Sequence, residues 1–319
     1  MTGPARLIHV GNAIADLVLE IDALPERGGD VLASSSRILA GGAVNTLVAA
    51  VRDGLPAVYA GALGTGPVAD VVRAALDGHG IPCLGPTVPG VDTGYAIGLV
   101  DAGAERTFVT VPGAEGRLTR AALDGVEVRW GDVVAVSGYS LGHPANALAL
   151  PGWVASLAEG VTVIVDPSPL VASLPSGTLA AILARADVVT ANAREARLMT
   201  GQESPARASE ALAATAIAAR RSTVVVVRDG PRGCWVVDAS RGSASGGRRA
   251  VHVRGFDVVA VDTTGAGDAH LGVLAAALSR GDDPIAAARR ANAAAALAVT
   301  RLGPAESPRS DEIDALLGR

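Results

Sequence analysis

VDTTGAGDAHLGVLAAALSR, residues 261–280, joins a glycine-rich turn to an apolar helix. A Gly-x-Gly turn that opens a helix leaves the first backbone N–H groups of that helix without partners inside the helix. These amides and the helix dipole favour an anion, most often a phosphate, and glycine is needed because a Cβ would block the close approach. The stretch therefore predicts a phosphate site at the amides of Gly265, Ala266 and Gly267.

Asp268 is the acidic residue in the first turn of this helix. Its carboxylate is placed to accept a proton from a nucleophile that attacks the bound phosphate. The other interpretation is an ordinary acid at a helix start, where the helix dipole favours negative charge. That interpretation explains the carboxylate but not the glycines before it, so we interpret Asp268 as a candidate general base.

The rest of the chain alternates short β-branched runs with Ala- and Leu-rich helical stretches. Runs such as VTVIV and TVVVV are apolar on both faces, as strands of a buried parallel sheet are. The alternation predicts a doubly wound, mostly parallel α/β sheet covered by helices on both sides, in one large domain or two ordinary ones. The predicted strands are Leu7–Val10, Ala57–Ala62, Val133–Val136, Val161–Val165, Val188–Thr190 and Thr223–Val227. The predicted helices are Ala43–Arg52, Val68–Asp77, Ala145–Glu159, Ala206–Arg220, Asp268–Arg280, Pro284–Arg301 and Ser310–Leu317.

Two stretches break this pattern, residues 15–39 and 93–111, because they alternate apolar with polar or small residues at period two. Each contains a turn cluster, PERGGD or DAGAER, and so predicts a hairpin with one exposed face. Together they predict a small antiparallel sheet that serves as a lid. The Gly/Ser/Arg-rich residues 240–249 predict a mobile surface loop.

The composition excludes several classes of protein. With 319 residues, 49% hydrophobic and 18% charged, the chain can bury a large core. A net charge of −5 argues against a nucleic-acid-binding protein. The chain contains no lysine, which excludes a Walker-A phosphate loop and a Schiff-base enzyme. It also contains no GxGxxG, so we set a dinucleotide-binding dehydrogenase aside.

Cysteine usage and hydropathy predict a soluble cytoplasmic protein. Cys83 and Cys234 lie far apart in sequence, and we expect two small buried residues in a reducing compartment. The first residues, MTGPARLIHVGN, lack the basic and apolar blocks of a signal peptide. Residues 133–158 are uncharged, but glycines and prolines interrupt them, which predicts short buried elements and no membrane span.

Four motifs resemble those of the ribokinase-like (PfkB) carbohydrate kinases. DTTGAGDA, followed by ANAAAALAVTRLGP, is similar to the C-terminal signature of that family. GNAIAD and AGGAVN, at 11–16 and 40–45, resemble its first substrate motif and its Gly-Gly-x-x-Asn element. NAREARLMTG, at 192–201, resembles its Asn-x-x-Glu motif. The motifs occur in the family's order along nearly the whole chain.

The resemblance implies a single domain over residues 1–319 with three α/β/α layers and a β-sheet lid. It also implies an ATP- and Mg²⁺-dependent kinase with Asp268 as general base and the Gly265–Gly267 amides as anion hole. The substrate would be held by Asp16, Gly41, Gly42 and Asn45, since a carboxylate accepts from sugar hydroxyls and an amide both donates and accepts. Taken alone, Asp16 is more often a charge at a strand edge, and Asn45 a helix-start residue, and only the resemblance reverses this interpretation.

The resemblance also assigns nucleotide contacts to Asn192, Arg228, Gly230, Gly233 and Asn292, and assigns to Glu195 a contact to Mg²⁺ through water. Asn192 and Glu195 fit a helix N-cap with a capping-box glutamate equally well. Arg228 stands where the family usually has the threonine of Thr-x-Gly-x-x-Gly, which leaves its contact to the nucleotide open.

Several family members bind a monovalent cation beside the anion hole, and the matching positions predict a K⁺ site. Most ligands would be backbone carbonyls, with side-chain oxygens from Asp262, Thr264 and Ser307. The other interpretation is that Asp262 and Thr264 only stabilise the turn. The full predicted set is Asp262, Thr264, Ala298, Arg301, Gly303 and Ser307.

Two further residues are left open by the sequence. His270 stands where the family commonly has phenylalanine, and it either is a core residue with a satisfied ring or reaches the nucleotide. Arg106, in the second hairpin, either contacts an anionic substrate group when the lid closes or is a solvated strand residue.

The favoured substrate is a small sugar phosphorylated on a hydroxymethyl group. A nucleoside of the pseudouridine or adenosine type is the alternative, but flat bases are usually gripped by aromatic faces, and the lid segments offer only Tyr95 and Phe108. A catalytically silent ligand-binding protein is a third hypothesis, against which the intact GAGD turn counts. Family members often pair through their lids, so the resemblance also implies a homodimer.

Overall fold

Two β-sheets organise the chain in the computed structural model, which describes residues 4–103, 105–218, 223–239, 249–304 and 306–318. The strands of these residues are β1 (Leu7–His9), β2 (Ala13–Glu20), β3 (Ser35–Gly42), β4 (Ala57–Tyr59), β5 (Tyr95–Val100), β6 (Arg106–Val111), β7 (Val133–Ser137), β8 (Thr162–Asp166), β9 (Val188–Asn192), β10 (Val224–Arg228), β11 (Gly233–Asp238) and β12 (Val251–Arg254). The loop predicted at 240–249 lies outside the described residues except for Arg249.

The α-helices of the described residues follow the same chain order. They are α1 (Ala43–Arg52), α2 (Pro67–Gly78), α3 (Arg120–Asp124), α4 (Gly138–Leu141), α5 (Pro144–Ser156), α6 (Ser176–Leu183), α7 (Ala193–Thr200), α8 (Pro205–Ala218), α9 (Ala266–Ser279), α10 (Pro284–Ala298) and α11 (Ser310–Leu317). Each predicted strand and helix is present, with its ends moved by a few residues. None of the helices in these parts of the chain is long and apolar enough to cross a membrane.

The larger sheet has eight strands in the order β12-β11-β10-β9-β8-β7-β1-β4. Neighbouring strands from β10 to β4 are parallel, whereas β11 pairs antiparallel with both β10 and β12. The strands β11 and β12 are missing from the sequence prediction, since β12 is short and mostly exposed and therefore lacks the apolar run of a buried strand.

Alternate residues of the parallel strands enter two separate cores, which gives the three predicted layers. Leu7 and Val133 pack with α1, α9 and α10, whereas their neighbours Ile8 and Val134 pack with α5, α6 and α8. Because side chains alternate across a strand, a run that is apolar at every position must be covered on both faces. The α/β/α prediction is confirmed.

The smaller sheet has the order β3-β2-β5-β6 and forms the lid. The two hairpins, β2–β3 and β5–β6, are antiparallel as predicted. They join through parallel pairing of β2 with β5, so the lid is a mixed sheet and not a purely antiparallel one. The sequence did not reveal this because the alternation within each hairpin carries no information about how the hairpins pair.

The register of the lid separates its two faces. Ile38, Leu17, Ile97 and Val109 lie side by side across the four strands and form an apolar row, exposed at its two ends. Asp16 is one position along the chain from Leu17, so its side chain projects from the opposite face. The face that carries Asp16 is directed toward the larger sheet, as the contacts described below show.

The cysteines differ in part from the expectation. Both are free, and Cys234 is buried in the core as predicted, but Cys83 is exposed. Cys83 lies beyond the edge strand β4 and forms a single bridge with Tyr59, and no further strand covers it there.

Candidate active site

The glycine-rich turn forms the start of α9. Gly265 is the residue that precedes the helix, and its left-handed backbone (φ 76°) turns the chain sharply. The first full helical hydrogen bond runs from the Ala269 amide to the Gly265 carbonyl at 2.8 Å, and the Ala266 amide makes a long 3.3 Å bond to Thr263. Within the described chain, the amides of Gly265 and Gly267 donate to no protein acceptor, as an anion site requires.

Asp268 is held by two side chains of α1. The Asn45 amide nitrogen donates to Oδ2 at 2.9 Å, and the Thr46 hydroxyl donates to Oδ1 at 3.3 Å. The two helices approach closely at Gly272, where a Cβ would lie 2.3 Å from the Thr46 carbonyl oxygen. Burial raises the pKa of Asp268 to about 6, and the hydrogen bond from Asn45 opposes this rise. A carboxylate with such a pKa is suited to accept a proton near neutral pH.

Asp16 faces the same space from the lid. Burial and the nearby charge of Asp268 raise its pKa to about 6. A Cβ on Gly41 would lie 2.2 Å from the Asp16 carboxylate, so a side chain at that position of β3 would displace this carboxylate. Gly42 has φ 62°, and a Cβ there would meet the Asn12 carbonyl oxygen at 2.3 Å. The structure thus brings the predicted substrate residues together beside Asp268.

Two amide oxygens in this space have no partner among the described residues. They belong to Asn12 and Asn45, and both atoms are buried. The Asn12 amide nitrogen lies 3.0 Å from the His143 ring, which orients the Asn12 side chain. The sequence analysis did not single out Asn12, although it lies in the GNAIAD motif. An unpaired buried amide oxygen is costly, and a ligand hydroxyl could satisfy it.

Arg228 is the last residue of β10, and its guanidinium reaches the anion site. It donates to Asp166 Oδ2 at 3.0 Å and to Thr190 Oγ1 at 3.2 Å, and lies 3.8 Å from Glu195 Oε2. A Cβ on Gly267 would lie 3.7–3.8 Å from this guanidinium, so the arginine and the Gly267 amide flank the same space. Asp166, the last residue of β8, is a site residue that the sequence analysis missed, and the signal was its place directly after a buried strand.

Asn192 and Glu195 form a complete capping box at the start of α7. The Glu195 amide donates to Asn192 Oδ1 at 2.8 Å, and the Asn192 amide donates to Glu195 Oε2 at 2.8 Å. The helix-cap interpretation is therefore what the contacts show, while a role toward nucleotide or Mg²⁺ stays a prediction. Burial and the charge of Asp166 raise the pKa of Glu195.

The remaining predicted nucleotide residues surround the ends of β10, β11 and β12. Gly230 and Gly233 both have positive φ, and a Cβ on Gly233 would lie 2.1 Å from a β12 carbonyl. The buried Asn292 amide donates to Val253 O at 3.0 Å and Arg254 O at 3.3 Å. Asn292 thus joins α10 to β12, and its predicted place beside the adenine stays untested.

His270 is a core residue of α9 and is 2% exposed. Burial lowers its pKa to about 3, so the ring is neutral near pH 7. The expectation of a core residue is confirmed. Neither ring nitrogen makes a hydrogen bond of normal geometry with the described residues, and the Asn292 side chain is the polar group that acts on the ring.

The positions predicted for K⁺ gather behind the anion-hole turn. Asp262 Oδ1 accepts from the Thr264 amide at 2.8 Å, and Oδ2 accepts from the Gly303 amide at 3.1 Å. A small cavity nearby is lined by Thr264, Ala298, Gly303 and Ser307, among others, and the buried Ser307 hydroxyl has no partner in the described chain. The Arg301 side chain points away from the cavity, to Glu312.

Arg106 is an unexpected member of this group. Its guanidinium donates to Thr264 Oγ1 at 2.5 Å and to Asp262 Oδ1 at 2.6 Å. The interpretation of Arg106 as a solvated strand residue is therefore wrong, since the side chain crosses from the lid to the anion-hole turn. Burial alone would raise the pKa of Asp262, but hydrogen bonds from Thr264, Gly303 and Arg106 hold it below its usual value.

These contacts define a class of protein. A carboxylate of raised pKa, two open helix amides and an arginine meet at the carboxyl edge of a parallel sheet, beneath a lid. Such an arrangement positions a hydroxyl against a phosphoryl group and neutralises the charge of the transfer, which is the chemistry of a small-molecule kinase.

The chain belongs to the pfkB family of carbohydrate kinases, whose profile matches residues 5–311. It is thus an ATP-dependent carbohydrate kinase with the ribokinase-like fold. It is 30% identical to an uncharacterized sugar kinase, YegV, of Escherichia coli over 98% of this chain and 94% of that protein.

Solved structures share the fold. Arabidopsis thaliana ribokinase complexed with ribose and ATP has a TM-score of 0.76 at 22% identity, covering 99% of this chain and 100% of that one. A chain from E. coli assigned as a ribokinase II, solved with ATP and Mg²⁺, has a TM-score of 0.81 at 24% identity, covering 99% of each chain.

Proposed function

We propose that this kinase transfers the γ-phosphoryl group of ATP to a hydroxymethyl hydroxyl of a small sugar. The observation that supports this most is the Asp268 carboxylate, whose pKa is raised to about 6 beside the open amide of Gly267. The carboxylate removes the proton of the attacking hydroxyl, and the proton stays on Asp268 while the new O–P bond forms.

The anion hole acts on the transferred group. In this proposal the amides of Gly265, Ala266 and Gly267 hold its oxygens, with Ala266 releasing its long bond to Thr263. Arg228 approaches from the opposite side and offsets the charge that develops on those oxygens. Arg228 thereby does what a phosphate-binding lysine does elsewhere, in a chain that contains no lysine.

Polar groups that converge from the lid and α1 would bind the sugar. Asp16 accepts from two hydroxyls, and the unpaired amide oxygens of Asn12 and Asn45 accept from others. Gly41 leaves the Asp16 carboxylate in place, and Gly42 allows the positive φ and the close approach to the Asn12 carbonyl that a side chain would prevent. The acceptors outnumber the donors here, which suits a neutral polyol rather than a carboxylate-bearing substrate.

ATP and Mg²⁺ are the cofactors of the proposal. The nucleotide would lie along the ends of β9, β10 and β12, against Asn192, Gly230, Gly233 and Asn292. Asp166 and Glu195 are the carboxylates that would face Mg²⁺, since Mg²⁺ prefers such oxygens and keeps its waters. In the structure Asp166 accepts from Arg228, and both Glu195 oxygens accept from Asn192, so contact through water fits Glu195 better than direct ligation. When bound, Mg²⁺ neutralises phosphate charge, while Glu195 orients its water shell.

The K⁺ site stays a prediction that the side-chain contacts do not favour. The unpaired Ser307 hydroxyl and the small cavity support it. However, Arg106 already binds the side-chain oxygens of Asp262 and Thr264, so two of the three predicted side-chain ligands do not fit a metal cation while Arg106 is in place.

A nucleoside substrate is the second candidate, and one lid residue favours it. Phe108 alternates with Val109 and therefore projects from the cleft face of the lid, where its ring packs over Gly98 and stays 53% exposed. An exposed ring on that face could stack on a base. Tyr95 lies on the other face, so the stacking surface is a single ring.

The proposal includes a cytoplasmic location, where ATP is supplied, and a homodimer formed through the lid. The apolar row of Ile38, Leu17, Ile97 and Val109 supports the dimer, since Ile38 and Val109 are 58% and 54% exposed. A second copy of this face would remove the row from water.

A substrate panel tests the proposal. ADP release is measured with ribose, fructose, fructose phosphates, ketodeoxygluconate, adenosine and pseudouridine, and the product is located by phosphorus NMR. We expect a sugar to give the highest kcat/KM and the phosphate to lie on a hydroxymethyl carbon. If a nucleoside is the best substrate, the second candidate is supported. If one compound binds tightly and none of them is phosphorylated, catalysis is refuted.

A further inference from the structure

The lid and the anion-hole turn are joined by one arginine. Arg106 begins β6, and its guanidinium spans to Asp262 Oδ1 and Thr264 Oγ1, which belong to the turn before α9. Its side chain is 26% exposed and that of Asp262 is 7% exposed. This is a short, largely dry contact between charged groups, the kind that is worth more than an exposed ion pair.

The two acceptors are the side-chain oxygens expected to bind a monovalent cation. With Arg106 in place, Asp262 Oδ1 accepts from two donors and Oδ2 accepts from Gly303. A cation there would have to displace a guanidinium that already supplies the positive charge.

Arginines also bind the carbonyls on the other side of the turn. Arg52 donates to Ser307 O at 2.5 Å, and Arg301 donates to Glu306 O at 3.3 Å. These carbonyls belong to the loop that lines the small cavity. The Ser307 carbonyl, which belongs to the predicted ligand set, therefore already accepts from Arg52, while Arg52 and Arg301 are themselves paired with Glu306 and Glu312.

We propose that the Arg106 guanidinium replaces the monovalent cation beside the anion hole, so that lid closure supplies the charge that K⁺ supplies in other kinases. The inference rests on the proposed function. Arg106 acts as a positioning residue: it fixes Asp262 and Thr264, and through them the turn that presents the Gly265–Gly267 amides. Closing the lid completes the site, and opening it withdraws the charge.

Two variants and a matched control test this. Arg106→Gln removes the charge, Arg106→Lys keeps a charge, and Arg37→Gln removes a lid arginine that pairs with Glu20 inside the lid. Each is assayed with the best acceptor at constant ionic strength in K⁺, Na⁺ or tetramethylammonium chloride, and with millimolar guanidinium added. The thermal midpoint of each protein is measured in the same salts, which needs no turnover.

We expect the wild-type rate to change less than twofold among the three salts. Arg106→Gln loses about tenfold to a hundredfold in kcat, and added guanidinium or K⁺ restores several-fold of it. Its thermal midpoint rises in K⁺ relative to tetramethylammonium, whereas those of the wild type and Arg37→Gln do not. Arg106→Lys keeps most activity without K⁺.

The inference is overturned by a wild-type enzyme that K⁺ stimulates fivefold or more, or by an Arg106→Gln loss that neither cation repairs. A misfolded Arg106→Gln still leaves the wild-type salt comparison decisive. If no acceptor is phosphorylated at all, the proposed function fails, and the thermal midpoints alone then decide whether K⁺ enters when Arg106 is removed.

Discussion

Asn45 and Asp268 are joined by a 2.9 Å hydrogen bond that links a predicted substrate residue to the candidate base. The bond crosses from α1 to α9, which is possible because Gly272 lets the two helices approach closely. While its nitrogen holds Asp268, the Asn45 oxygen stays unpaired. A sugar hydroxyl bound there would lie next to the carboxylate that deprotonates it.

Replacing the base is the most direct prediction. We expect Asp268→Asn to keep the fold and to lose about 10²- to 10⁴-fold in kcat, because the amide cannot accept the hydroxyl proton. The control is Asp70→Asn, which changes the exposed first-turn aspartate of α2. Both variants are assayed for ADP release with the best acceptor. An Asp268→Asn enzyme with the parental rate contradicts the assignment.

The raised pKa of Asp268 also affects stability. Its folded pKa of about 6 lies above the ordinary value of 3.8, so the native state binds this proton more tightly than the unfolded chain. The carboxyl therefore lowers the free energy of unfolding as the pH rises from 4 to 6. Asp268→Asn has no carboxyl at this position and so avoids this decrease. In urea denaturation we expect its free energy of unfolding to exceed that of the wild type at pH 7, but not at pH 4.

The pH dependence of activity provides a second prediction. Asp268 and Asp16 both have a pKa near 6, so kcat/KM should fall as the pH drops through that region, the two carboxyls titrating as a coupled pair. The Thr46 hydroxyl donates to ionised Asp268 and so lowers its pKa. Thr46→Val removes that donor and should move the acidic limb upward by roughly half a pH unit.

Thr215→Val is the control for this shift, because the Thr215 hydroxyl bonds only the Ala211 carbonyl on the exposed side of α8. Its pH profile should match that of the wild type. If Thr46→Val leaves the acidic limb of the pH profile where it is, or moves it to lower pH, the role given to the Thr46 hydroxyl is contradicted.

Much of the fold follows from local patterns. The parallel strands of the larger sheet were predictable because a run that is apolar at nearly every position, such as VVAV in β7, has to be covered on both faces. The glycine-rich turn before α9 was predictable because glycines directly before a helix indicate a tight turn, whatever the rest of the fold. The pairing of β2 with β5 was not, since it depends on how two distant hairpins meet.

A site residue was predictable where its role depends on its own place in a sequence motif. It was less predictable where the role depends on a contact with a residue far along the chain. Asp16 and Asn45 could be singled out and lie near Asp268, though their role stays a prediction, but the contacts of Arg106 with Asp262 and of Arg228 with Asp166 join residues 156 and 62 positions apart. An arginine side chain is long, and its sequence neighbours do not reveal what it reaches. Asn192 and Glu195 show a second reason why sequence patterns do not settle a role. The same pair of residues caps a helix and is also suited to bind a cofactor.

The buried network at Asp53 provides a prediction about stability alone. This carboxylate is fully buried and accepts from Arg290 at 2.5 Å and Arg280 at 2.9 Å, tying the end of α1 to α9 and α10. Asp53→Asn leaves Arg280 without its carboxylate and leaves Arg290 with Asp314 alone, and should cost about 3–5 kcal/mol in urea denaturation. Asp124→Asn, which breaks the exposed pair with Arg120, should cost less than about 1 kcal/mol. Equal losses would show that the network contributes no more than a surface pair.

Arg228 provides the sharpest comparison between this chain and its family. Arg228→Thr restores the residue usual at this position and removes the guanidinium that faces the Gly267 amide. If that guanidinium neutralises the transferred phosphoryl group, kcat should fall about 10²-fold with a smaller change in the KM for the sugar. Arg232→Thr, in the same loop, removes a 71% exposed arginine paired with Asp229 and should leave kcat unchanged. A kcat that Arg228→Thr preserves would mean that the helix amides and Mg²⁺ carry the charge without it, and that Arg228 serves only to hold Asp166 and Glu195 in place.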